Sequence, residues 1–583
     1  MLCICSCIKA IALLCLILNY VEAMFTKRAL PQLEELSPSK RLKHNLEDLF
    51  LTGTVSGKRA QTLFANAEAA AKEPGQFNKL AAAGVGGKKS GNAHRDILRQ
   101  LVKGKGWPTV YVAYITAWDK KACRAKQVQC AFLLPHEIIR SLLTFNDVEK
   151  LCCTDRLSPR ALRHLVQCKD KLHDAMVVPI GLWGDGVPVN YDRTESVEMI
   201  TMSLPGLTDK GSCFRVPLVG LSKRFVMTDK TYDSIFEVLA WSFEALASGR
   251  MPSTRHDGSH WSSSDAWRRR LSDKAIGVKG VLAEIRADWQ FLSSCFRLPY
   301  HNLNAGCCWR CRVTPALLKD FSSSAAWRSQ RLNNIGLLCR MQEQGVVPSS
   351  VFKIPYMDSS IFAIDWLHCC DKGTASYFLG NLLWHCLPKL EGGNKGERVQ
   401  SLWRRIENFY SRHPVDSKYD SMTLLMIKQP KKGPALRGKA AEVRGLVPFG
   451  LELAQELLAA GSETDKTICE CAKQLNECYN CLHTNGFAQS VFQDHVNKFC
   501  MLYAALDSTT LDEKLWKIKP KFHLMAEMGM DDTCPSVVWT YRDEDFGGTA
   551  AALSRRRGGK HSVISTSITF LTKFLASNRI PVL

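Results

Sequence analysis

Between Val177 and Arg286 the chain carries four short runs of apolar, β-forming residues in a fixed order, and that order constrains the fold more than any other feature. Val177-Val178-Pro179-Ile180-Gly181-Leu182-Trp183 reads as a buried strand, and Val197 to Met202 and Phe214 to Val219 read as the next two. From Tyr232 to Leu246 the apolar positions Ile235, Leu239, Phe243 and Leu246 recur at helical spacing. Gly280-Val281-Leu282-Ala283-Glu284-Ile285-Arg286 is a fourth strand. Three strands, a helix and a further strand predict one sheet covered by helices.

This is the order that begins a ribonuclease H-like α/β domain. A chain of 583 residues is too long for a single small core, so about two to four domains are expected. Residues 300–515 read mostly as helix, a large insertion that would interrupt the core before residues 516–583 complete it. Residues 107–175 read as mixed strands and helices, with a helix opened by Pro135, and residues 176–299 form the first part of the core. Within 24–72, Ser37 and Pro38 open a helix carrying Leu42, Leu46, Leu49 and Phe50. Thr52-Gly53-Thr54 turns the chain into a second helix from about Ser56, with Ala60, Leu63, Phe64, Ala67 and Ala71 inward. The pair could read DNA as a helix-turn-helix, although a plain packing hairpin accounts for the same residues. Residues 73–106 are rich in Gly, Ala and Lys and predict a basic flexible linker. Gly87-Lys88-Lys89-Ser90 lacks the spacing of a phosphate loop, so no nucleotide is expected there.

Charge narrows the partners. The 77 basic residues exceed the 56 acidic ones, for a net +21, which favours a polyanion because neutralising phosphates releases counterions. The 24 cysteines are spread irregularly, many at apolar helical positions, and read as reduced thiols rather than a disulfide framework. Residues 1–23 point the other way: Lys9, an apolar run from Ala10 to Leu18 and Val21-Glu22-Ala23 make an acceptable secretory signal. Met24 then opens a basic sequence, so an upstream extension of the true start is the preferred reading, with secretion as the alternative. The apolar run is too short to span a bilayer, and no membrane is expected.

Isolated acids mark the chemistry. Asp185 follows the first strand between two glycines, where the backbone can be approached closely, although an Asp-Gly turn explains the same residues. Asp288 stands just past the fourth strand. Trp539-Thr540-Tyr541-Arg542-Asp543-Glu544-Asp545-Phe546 begins a helix, and Glu544 is the acid expected to reach the sheet edge. The helix is expected to run on into Arg555, Arg556 and Arg557, which would face phosphates, as would the loop bearing Lys431, Lys432, Arg437 and Lys439. Cys308-Trp309-Arg310-Cys311 and Asp365-Trp366-Leu367-His368 offer thiol, imidazole and carboxylate ligands. Cys469, Cys471, Cys478 and Cys481 lie on one amphipathic stretch and read as packing residues. His256 and His260 sit in a polar loop, and no nucleophile elbow is present.

Taken in order, these elements resemble CACTA-type (En/Spm) transposases of the CACTA, Mirage and Chapaev group over roughly residues 176–560. Asp365-x-x-His368-x-x-x-Lys372 is similar to that family's Asp-x-x-His segment, and Cys308-x-x-Cys311 precedes it as it does there. Trp539-x-Tyr541-x-x-Glu544, with Phe522-His523-Leu524 upstream, resembles the block bearing the catalytic glutamate, and Asp185 and Asp288 resemble the two aspartates. Trp289-Gln290 stands where the family usually has Pro-Ala. The resemblance implies a DDE enzyme that cuts and joins DNA with two Mg²⁺ ions on Asp185, Asp288 and Glu544. It implies a structural zinc on Cys308, Cys311 and His368, with Asp365 as a further ligand. It also implies DNA as partner, self-association and a nuclear location. A domesticated relative that binds DNA without cutting it is the alternative, and a secreted protein is a third.

Overall fold

The four apolar runs pair into one sheet in the computed structural model. A separate antiparallel hairpin of β1 (Tyr111–Asp119) and β2 (Arg124–Phe132) precedes β3 (Val177–Pro188), β4 (Ser196–Ser203), β5 (Arg215–Ser222) and β6 (Lys279–Arg286). The sheet order is β5-β4-β3-β6, antiparallel except for the parallel β3/β6 pair. The structure describes residues 37–71, 75–85, 91–120, 122–190, 192–207, 214–302, 306–483, 486–512, 514–555 and 561–583. The signal-like residues 1–23 lie outside them.

The chain divides into two compact units. The first comprises Met1–Lys105, Arg555–Gly559 and Thr572–Arg579. Its helices Pro38–Leu51 and Gly57–Ala70 form the expected hairpin, with Gly53 at φ +74° in the turn and the Ser56 hydroxyl accepting from the Arg59 N–H. Leu46, Phe50, Ala60 and Phe64 are buried, whereas Leu42 is exposed. The expected linker 73–106 contains a helix, Ala93–Val102, capped by the Asn92 side chain and burying Ile97, Leu98 and Leu101. Three apolar residues on one turn outweigh the Gly and Lys content around them. Residues 87–90 lie outside the described residues.

The second unit, Gly106–Ser554 with Lys560–Leu571 and Ile580–Leu583, holds the sheet. The strands are buried over nearly their whole length, as strands covered on both faces must be. Helix Thr228–Ser248 buries Ile235, Leu239, Phe243 and Leu246, the residues expected from their spacing. Helix Pro159–Leu172 contributes Ala161, Leu165, Cys168 and Leu172 to a cluster with Val177, Ala247 and Val281. At one sheet edge the Leu133 N–H, just past β2, donates to Leu218 O on β5 at 2.8 Å. At the other, Phe362 pairs in parallel with Ile285, and the Ala363 N–H reaches Ile285 O at 2.9 Å.

Beyond this point the chain is helical, as expected, with long helices at Lys395–Arg412, Glu463–Asn480 and Gln489–Thr509. Leu367–Thr374 forms a π-helix, broken at Gly373. No helix among the described residues is long and apolar enough to cross a membrane.

Candidate active site and a buried thiol centre

Parallel pairing of β3 with β6 aligns Trp183 with Arg286, so Asp185 and Asp288 leave the same end of adjacent strands. Asp185 is still within β3, opposite Met199 of β4. Asp288 has left β6 and caps helix Trp289–Phe296, accepting the Phe291 N–H at 2.5 Å. Burial raises the Asp185 carboxyl above its usual range, and the charge of Asp288 raises it further. The two flanking glycines serve internal packing rather than a ligand. A methyl group at Gly184 would collide with the Phe291 ring, and one at Gly186 would meet the Glu198 carboxylate. Glu198, buried on β4 and bonded by the Tyr232 hydroxyl at 2.9 Å, is a further acid near Asp185.

Glu544 arrives from helix Tyr541–Ser554, which lies against β3 with Gly547 touching Trp183 and Val187. Each acid of its triplet has a different surrounding. Asp543 is buried in an ion pair with Arg215 and lies 3.7 Å from Arg286, which tethers the helix to β5 and β6. Asp545 is exposed. Burial pushes the Glu544 carboxyl up to about 7, and Asp185 adds to the rise against the opposing charges of His368 and Lys372. Its Oε1 is buried without a hydrogen-bond partner.

His368 Nε2 stands 3.6 Å from that oxygen. Its other ring nitrogen, Nδ1, lies 2.6 Å from Asp365 Oδ2, and burial alone would favour the neutral ring. The charges of Asp365, Glu544 and Asp288 reverse this and raise the His368 pKa. Asp365 also accepts the Thr540 N–H and hydroxyl, both at 2.9 Å, at the start of the Glu544 helix. Asp365 and His368 therefore belong to the acidic site and not, as expected, to the thiol pair. The reason lies in the chain path: Ala363 runs beside β6, which delivers Asp365 to the strand ends where Asp185 and Asp288 emerge.

The thiols have other partners. Cys308, Cys311, His523 and Glu527 are buried and offer ligand atoms within 4.8 Å of one another. Cys311 Sγ lies 3.4 Å from His523 Nε2 and Cys308 Sγ 3.9 Å from Glu527 Oε1. Burial disfavours a thiolate, yet hydrogen bonds from Cys311 and His523 hold the Cys308 thiol down to about 5 while Cys311 is pushed up. Two sulfurs and an imidazole suit a metal such as zinc. Glu527 is gripped by Arg331 at 2.9 and 2.6 Å, so its charge is already balanced. The Cys-x-x-Cys turn is pinned by Arg340, which donates to Cys308 O at 3.1 Å and Cys311 O at 2.8 Å. At Gly306, φ +142°, a side chain would occupy the space of that guanidinium.

His523 and Glu527 lie four apart on helix Lys521–Gly529, a spacing visible in the sequence. The same helix starts with Lys521, whose ammonium donates to His368 O at 2.6 Å and Lys372 O at 3.4 Å in the π-helix.

Lys431, Lys432, Arg437 and Lys439 are exposed on one loop, with Lys439 paired to Glu442 at 3.6 Å. The Glu544 helix ends at Ser554, and Arg555 belongs to the other unit. Arg556 and Arg557 lie outside the described residues. Cys471 and Cys478 pack as buried apolar groups, and His256 is bonded to the Tyr111 hydroxyl at 2.7 Å. No family model matches the chain, and no curated protein matches it.

Proposed function

We propose that the protein is a transposase-like DNA strand-cleaving and strand-joining enzyme of the DDE type, with Asp185, Asp288 and Glu544 as its acids. One observation carries the reading. Asp185 and Asp288 stand at the same end of adjacent parallel strands, where the Asp288 charge raises the Asp185 carboxyl, and the Asp185 charge in turn raises the carboxyl of Glu544, brought in by a distant helix. Packing alone gives no reason to gather like charges at a sheet end, whereas a divalent cation does. The strand order β5-β4-β3-β6, with one parallel pair, supports a ribonuclease H-like core.

The donor set fits Mg²⁺: all three side chains offer hard oxygens, and Glu544 keeps a buried oxygen without a hydrogen bond. Bound there, the ions would activate water or a 3′-hydroxyl and stabilise the leaving oxygen at a phosphodiester. The chain's own residues orient the site. Asp365 holds His368 by Nδ1, which aims Nε2 at Glu544. The acids around the His368 imidazole raise its affinity for a proton, and a protonated ring there would balance them and could face a phosphate oxygen. The exposed Lys431, Lys432, Arg437 and Lys439 would track the DNA backbone, and their contribution would weaken with salt.

The test is nicking of supercoiled DNA by the full chain with Mg²⁺ or Mn²⁺. Asp185→Ala and Glu544→Gln should each lower the rate by about 100-fold or more, the scale of losing a group that acts only in the transition state. Equal nicking by both variants would show that other residues do the cutting.

A further inference from the structure

The carboxylate of Asp371 joins two parts of the chain that no strand connects. It lies in the π-helix and is fully buried. Its Oδ1 accepts the Tyr479 hydroxyl at 2.5 Å and its Oδ2 accepts the Tyr541 hydroxyl at 2.7 Å. Tyr479 belongs to helix Glu463–Asn480 of the helical region, and its ring meets Trp366 edge-on at 5.1 Å. Tyr541 opens the helix that carries Glu544 three residues later, so both stand on one turn of the same face. Arg444 covers the Trp539 ring at 4.5 Å just ahead of that helix and places a positive charge near Asp371.

We propose that Asp371 is a positioning residue which makes the placement of Glu544 depend on the helical region, through the relay Tyr479, Asp371, Tyr541. This rests on the reading of Asp185, Asp288 and Glu544 as the acids of the active site. Asp543 and Thr540 also anchor the Glu544 helix. Asp543 ties it to Arg215 and Arg286 of the sheet, and Asp365 holds Thr540 at its first turn. Neither anchor reaches the helix Glu463–Asn480. Asp371 does, and because both its oxygens are engaged, a shift of Tyr479 must move Tyr541 or break a buried hydrogen bond.

The full chain is compared with Asp371→Ala, Asp371→Asn and Tyr479→Phe. Three measurements are made: single-turnover Mn²⁺-dependent nicking, DNA affinity, and amide hydrogen exchange of residues 541–546. Asp371→Ala should slow nicking about tenfold, equivalent to ~1.4 kcal/mol at the transition state. DNA affinity should hold within about twofold, and exchange of residues 541–546 should quicken, because the anchor and not the DNA surface is lost. Tyr479→Phe should change both in the same direction by a smaller factor. Asp371→Asn still bridges both hydroxyls, one as acceptor and one as donor, and should recover most of the rate. Parental rate and exchange in both Asp371→Ala and Tyr479→Phe would overturn the proposal, and so would no recovery in Asp371→Asn. If Asp371→Ala does not fold, Tyr479→Phe decides alone, and parental rate and exchange in it overturn the proposal. If the parental chain itself does not nick DNA, the active-site reading fails, and exchange of residues 541–546 still decides whether Asp371 holds that helix.

Discussion

Glu544 is an acid whose folded pKa is raised, and this fixes the sign of its effect on stability. The folded chain binds that proton more tightly than the unfolded chain, so its contribution is complete below the ordinary value of 4.5 and is lost as pH rises toward about 7. The metal-free protein should therefore melt at progressively lower temperature from pH about 5 to about 8 in calorimetry. Added Mn²⁺ should restore the melting temperature most at the upper end, where the acids are ionised, and Glu544→Gln should flatten the pH trend. A trend of opposite sign would remove Glu544 from the set of raised acids. The thiols give a separate expectation. Cys308→Ser and His523→Ala should each cost about one equivalent of zinc by elemental analysis, while His368→Ala should leave zinc unchanged. Loss of zinc in His368→Ala would return that residue to the thiol pair. That Asp185 and Asp288 leave one end of the sheet was legible in the sequence, because each follows an apolar run that pairs with the other. Which ligands joined Cys308 and Cys311 was not: Asp365-x-x-His368 and His523-x-x-x-Glu527 are equally good donors in one dimension, and only the chain path beside β6 separates them.

At the scale of elements, the β3/β6 pair and the helix after β6 act together. Gly184 exists for the Phe291 ring, and that contact keeps the Asp288 cap beside Asp185. Gly184→Ala should destabilise the protein by about 1 to 3 kcal/mol in denaturant melts, the usual cost of overpacking. The strands and the helix Thr228–Ser248 were readable from their periods because packing and propensity agree there. The helix Ala93–Val102 was hidden by its Gly-rich and Lys-rich flanks, which dominate a window average although Ile97, Leu98 and Leu101 fall on one face. The π-helix was not foreseeable: within it the carbonyls of His368 and Lys372 meet Lys521 of another helix, a contact that no local pattern announces.

For the whole molecule, the order of elements explains how acids so far apart in sequence meet. The helical region leaves the sheet beyond β6 and returns with the helix Tyr541–Ser554, which closes over β3. Arg215 and Arg286, buried with Asp543, hold that return in place.

The helix Lys521–Gly529 serves two masters at once. Its side chains reach the sulfur cluster through His523 and the turn beside the imidazole through Lys521. Both contacts leave the first turn of that helix, so neither can shift without the other. A chelator that strips the thiol centre should therefore silence the distant acids even when Mg²⁺ is returned in excess, and zinc alone should restart them. The protein would carry a built-in requirement for two chemically different metals, one to keep the frame square and one for the work inside it.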